Sequence, residues 1–114
     1  MITIEGVNPR MIANNLKPHR SVHPGEVLKD EIEFRNLSQV QLAEQMGVSY
    51  KMLNDILNER RPLTTTTAML FEAALDVPAD SLMRLQLKYN MQIARKDKTF
   101  LNRLAAIRKV AAVF

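Results

Sequence analysis

The chain contains no cysteine and no tryptophan, and only three glycines and two histidines among 114 residues. Without thiols, a disulfide scaffold and the thiolate zinc patterns are excluded. His19 and His23 have no matching carboxylate or thiol set nearby, so they read as surface or capping residues, and no metal or cofactor is expected. No glycine-rich phosphate loop is present, and no serine or aspartate sits beside a base that would activate it. An enzyme is therefore the weakest of the functional readings. No apolar run is long enough to cross a bilayer. The opening MITIEG lacks the basic segment and apolar run of a signal peptide. A cytoplasmic protein that does not engage membranes is expected. The length suits one small helical domain that folds without staples.

The charge that is present is unevenly placed. Up to Met83, eight basic residues stand against eleven acidic ones; from Arg84 onward, eight basic residues stand against Asp97 alone. A basic end of this kind can meet phosphate or an acidic partner, or simply form a solvated helix face.

The most informative stretch is Gln39 to Asn58, QVQLAEQMGVSYKMLNDILN. Ser38 is placed to cap a helix over Gln39–Met46, with Val40, Leu42, Ala43 and Met46 as its apolar positions. Gly47 follows where the chain must reach positive φ, which glycine does without a Cβ penalty. Ser49 can cap a second helix over Tyr50–Asn58, with Leu53, Ile56 and Leu57 inward. Two short helices this close share a core only if they cross steeply, and Ala43 is the small residue at the crossing. The pattern is a helix-turn-helix, and the competing reading is an ordinary helical hairpin. Ser49, Tyr50, Lys51, Asn54, Asp55 and Asn58 remain outside, a polar face suited to base edges.

Elsewhere, Ile2 and Ile4 alternate with polar residues as in a short strand or extended arm, and Pro9 could open a helix to Asn15. Pro24 fits the first turn of a helix whose face comprises Val27, Leu28 and Ile32, with Glu31 and Phe34 less cleanly placed, and Leu37 closing against the core. Arg60 and Arg61 lie just past the recognition helix, where a duplex backbone would run, so phosphate contact is expected. A threonine caps the next helix, Thr66–Leu75, which buries Ala68, Leu70, Phe71 and Ala74. Leu82, Leu85, Tyr89 and Ile93 mark the inner stripe of a fifth helix. Finally Phe100, Leu104, Ile107, Ala111 and Phe114 recur at heptad-like spacing with basic residues opposite. Such a helix folds back on its own body, pairs with a second copy or receives a partner. Dimerisation is preferred, because helix-turn-helix proteins usually read two half-sites with two subunits.

His23-Pro24-Gly25-Glu26-Val27-Leu28, Leu37-Ser38-Gln39, Leu42-Ala43, Gly47-Val48-Ser49 and Leu57-Asn58 together resemble the HigA-type antitoxins of the XRE, lambda-repressor-like family. Leu63-Thr64, Ala68, Leu70, Leu85-Gln86 and Tyr89 extend the likeness, which spans about His23 to Ala94. The HPGE opening is its specific part. Three-and-four spacing with a cap at nearly every boundary predicts an all-α fold, with an arm (1–22) before and a basic C-terminal helix (96–114) after residues 23–95. The resemblance makes residues 23–95 a lambda-repressor-like five-helix DNA-binding domain. The arm and the basic tail exceed the family's common core. The resemblance implies an antitoxin that neutralises a RelE-like mRNA-cleaving toxin of HigB type and represses their shared operator in double-stranded DNA. The alternative is a stand-alone XRE-family regulator with no toxin. By position in the family, Tyr50, Lys51, Asn54 and Asp55 would face bases. Gln39 would anchor a phosphate and brace Tyr50, with Ser49, Asn58, Arg60 and Arg61 also positioned on the backbone. The chain departs from the family in having Glu59-Arg60 where a glycine and a basic residue usually follow Leu57-Asn58.

Overall fold

The computed structural model describes residues 22–113. The expected strand or arm around Ile2 and Ile4, the short helix after Pro9, His19 and Phe114 lie outside them. Among the described residues there are six helices and no strand: α1 Pro24–Phe34, α2 Gln39–Met46, α3 Tyr50–Leu57, α4 Thr65–Leu75, α5 Ala79–Lys96 and α6 Lys98–Ala111. None is long and apolar enough to cross a membrane.

The boundaries follow from local chemistry. His23 caps α1, its Nδ1 accepting from the Gly25 amide at 2.9 Å, with Pro24 at the first helical position. Ser38, Ser49 and Thr64 cap α2, α3 and α4 in the same way, and Thr64 brings the start of α4 one residue earlier than expected. Pro78 offers α5 no side-chain cap, and Glu72 of α4 supplies one: its Oε2 accepts from the Ala79 amide at 2.7 Å. Gly47 closes α2 at φ 71°. Asn36 and Glu59 occupy the equivalent left-handed position after α1 and α3, at φ 56° and 63°.

The core gathers Leu28 and Ile32 of α1, Leu42, Ala43 and Met46 of α2, and Leu53, Ile56 and Leu57 of α3 with Ala68, Phe71, Leu75 and Leu82 of the later helices. Several apolar positions assigned inward face solvent instead. Phe34 is 87% exposed because it lies about 120° round α1 from Leu28, with Val27 on the same side. Val40, Leu37 and Ala74 are also exposed; α4 turns Leu75, not Ala74, into the core. Ile93 is exposed because α5, roughly 27 Å long against roughly 16 Å for α1 and α4, outruns the body. Its inner stripe holds a residue that the apolar pattern misses. Gln86 is 3% exposed, accepts from the Leu63 amide and donates to Asn90 Oδ1, both at 2.8 Å. The first bond ties α5 to the segment following α3, and the second, within α5, holds the Gln86 amide in place for it.

The last helix behaves differently. Asp97 breaks the chain's course at φ −82°, ψ 101° and caps α6 through its side chain. α6 has no buried residue, and its packing is against α5. It does not fold back as a lid on the body. Of its predicted seam, Phe100 and Ile107 are exposed, Leu104 is half-buried and Ala111 is exposed.

Candidate nucleic-acid interface

α3 is held by its apolar side with little freedom. Leu53, Ile56 and Leu57 are each at most 1% exposed. From the other direction α1 starts hard against it: a Cβ on Gly25 would collide with the Ile56 carbonyl oxygen. The glycine of HPGE thus lets α1 approach the backbone of α3, while the histidine before it caps α1 and packs edge-on against Tyr89 at 4.9 Å. Burial depresses the basicity of His23, opposed by the nearby Glu59 charge and a hydrogen bond to the Arg61 backbone. The HPGE segment therefore grips both α3 and the turn that follows it.

With its back fixed, α3 presents a connected polar ridge. Ser49 Oγ accepts from the Met52 amide at 3.0 Å, leaving its hydroxyl proton free to donate at the helix N-terminus. Lys51 is exposed and Tyr50 is half-exposed. Asn54 is the hub. Its Nδ2 donates to Gln39 Oε1 at 3.4 Å and to the Tyr50 hydroxyl at 3.5 Å. The brace expected between Gln39 and Tyr50 accordingly runs through Asn54. Asn58 donates to the Asn54 carbonyl at 2.9 Å and accepts from Lys29 Nζ at 3.2 Å. Lys29, on α1, carries no local sequence signal for this role, because its partner is 29 residues away. Arg60 lies on the same ridge, bonded to Asp55 and Asn54, and Arg61 is exposed.

The groups assigned to base edges therefore lie along the polar side of α3, Tyr50 and Lys51 exposed and Asn54 and Asp55 partly buried. They are flanked by the N-termini of α2 and α3, whose free amides and dipoles favour phosphate. A convex helix of this kind, rigid behind and polar in front, matches the width of a DNA major groove.

The helix-turn-helix family profile matches residues 28–82. The virulence-associated protein I of Dichelobacter nodosus is 32% identical over 83 residues, covering 72% of this chain and 77% of that protein. An addiction module antidote protein of the HigA family from Coxiella burnetii superposes with a TM-score of 0.65 at 30% identity, covering 70% of this chain and 88% of its own. The chain belongs to the HigA family. A further HigA relative, the antitoxin HigA of Pseudomonas aeruginosa solved with the higBA promoter, matches at 34% identity and TM-score 0.62, over 66% of this chain and 83% of that one. The matched helix-turn-helix region stops within α5, so α6 and the end of α5 lie outside it.

Proposed function

We propose that this HigA-family chain is a DNA-binding antitoxin that represses its own operon and neutralises a RelE-like mRNA-cleaving toxin of HigB type. The observation that carries the DNA reading is the Asn54-centred ridge: polar groups of five side chains converge on the one face of α3 that the core leaves uncovered. The solved promoter complex of the Pseudomonas relative supports it. Tyr50, Lys51, Asn54 and Asp55 meet base edges in the major groove. Gln39, Ser49, Asn58 and Arg61 meet sugar-phosphate, with the N-termini of α2 and α3 adding their amides. Two copies paired along Phe100, Leu104, Ile107 and Ala111 would set their recognition helices about one helical turn, ~34–36 Å, apart.

Fluorescence anisotropy tests the first part, using duplex DNA from immediately upstream of the chain's own reading frame and a scrambled duplex of equal length. A preference of about a thousandfold or more for the upstream duplex is expected at physiological salt. Equal affinity for both would overturn the reading. Co-expression with the adjacent reading frame tests the second part. A stable complex that suppresses mRNA cleavage is expected; operator binding without such a complex would leave a stand-alone regulator.

A further inference from the structure

We propose that Arg60 is a positioning residue that fixes what α3 reads, holding the Asn54 carboxamide in one orientation and cancelling the charge of Asp55. The inference rests on the reading of α3 as the DNA-reading helix. Its geometric basis begins in the backbone. The Glu59 amide bonds to the Ile56 carbonyl, and the Arg60 amide to the Asp55 carbonyl at 2.8 Å, with Glu59 in the left-handed conformation. This paired closure turns the chain back sharply after α3 and returns the Arg60 side chain along the helix it has just left. Its Nε then donates to Asp55 Oδ1 at 3.1 Å and its Nη2 to Asn54 Oδ1 at 2.8 Å.

Two consequences follow. A guanidinium donates and never accepts, so the end of the Asn54 amide that faces Arg60 must be the oxygen. The amino end is thereby aimed toward Gln39 and Tyr50, held there by contacts of 3.4 and 3.5 Å that are long enough to be exchanged for a better acceptor. Asn54 accordingly offers DNA a donor, suited to a purine N7, a guanine O6 or a thymine O4. Without Arg60 the amide is free to turn over and offer an acceptor instead. The second consequence concerns Asp55, whose side chain is 18% exposed and whose ion pair among the described residues is with Arg60. Unpaired, that charge would stand on the ridge facing phosphates and repel them on every sequence.

Selection of binding sites from a random-sequence duplex pool, at two salt concentrations, tests the inference. The wild-type chain should enrich a motif. In Arg60→Ala, discrimination at the base pair facing Asn54 should fall by about tenfold while the other positions are kept. Arg60→Ala with Asp55→Ala should regain general affinity but not that discrimination. Arg60→Lys should also fail to restore it, because one ammonium replaces a fork that spans two side chains. In the free protein, the Asn54 side-chain amide NMR signals should move in Arg60→Ala. A motif unchanged in Arg60→Ala would overturn this inference alone, as would unshifted Asn54 signals. So would a uniform loss of affinity with the salt slope reduced by about 0.9, the signature of a single phosphate contact. A wild-type chain that enriches no motif would overturn the reading of α3 and this inference with it.

Discussion

α3 and α6 are both amphipathic, and the structure treats them in opposite ways. α3 is eight residues long, too short to hold itself together in water, yet its three large aliphatic side chains are almost wholly enclosed. α6 is fourteen residues long with a seam of comparable apolar character, and not one of its residues is buried. The difference lies in what surrounds each. α3 sits among α1 and α2, and the segment that follows it is pinned by His23 at Arg61 and by Gln86 at Leu63. α6 follows a helix that has already left the body. An apolar stripe is therefore only a demand for a partner. Whether the chain itself meets that demand depends on where the preceding elements deliver the helix.

The sharpest way to break the comparison is to remove equivalent side chains from the two helices. Leu53→Ala should cost about 2–5 kcal/mol of folding stability, because the cavity lies in a closed core. Ile107→Ala should change it by less than about 0.5 kcal/mol in dilute protein, since the side chain is 56% exposed. Equal losses in denaturant titration would show that α6 is covered in solution.

A smaller effect is expected at the contact that seats α3. Gly25→Ala should lose about 1–3 kcal/mol, because the new methyl meets a backbone carbonyl instead of a side chain that can move. Thermal unfolding measures it, and an unchanged midpoint would mean that α1 does not press on α3 as described.

His23 extends the test to pH. Burial holds its imidazole below the ordinary value of 6.5, so as pH falls the unfolded chain takes up its proton first. Its contribution to stability is therefore full above 6.5 and is lost as pH drops through 6.5 toward the folded value. His23→Asn keeps a side-chain oxygen for the Gly25 amide and removes the titration. Its stability should decline less over that window than the wild type's. Parallel pH profiles would remove His23 as the cause.

Least disturbing to the fold is deletion of the chain from Asp97. The body should unfold at nearly the same denaturant concentration, while sedimentation shifts from dimer to monomer and operator affinity falls with half-site binding retained. A truncated chain that stays dimeric would place the pairing surface on the body.

Much of this was written locally. The caps at Ser38, Ser49 and a threonine near Thr64, the left-handed Gly47 and the three-and-four spacing of Leu53, Ile56 and Leu57 each depend on residues within one or two helical turns of each other. A linear pattern therefore shows them directly. The polar face of α3 was legible for the same reason: once the inward residues are known, 3.6-residue periodicity places the rest. Other features required the chain to be folded. Gln86 looks like a surface residue until the Leu63 amide, 23 positions earlier, is brought to it. Phe34 and Val40 look like core because hydrophobicity alone does not say where neighbouring helices end. The direction in which Arg60 points was decided by the left-handed backbone at Glu59, a conformation that a glutamate, standing where the family usually has glycine, does not itself announce. The sequence by itself determined which helices form and which side of each is apolar, because capping and periodicity act over a few residues. Only the tertiary structure decided which of those sides are covered and how the polar groups of α3 are joined, because contacts between distant segments exist only once the helices have packed.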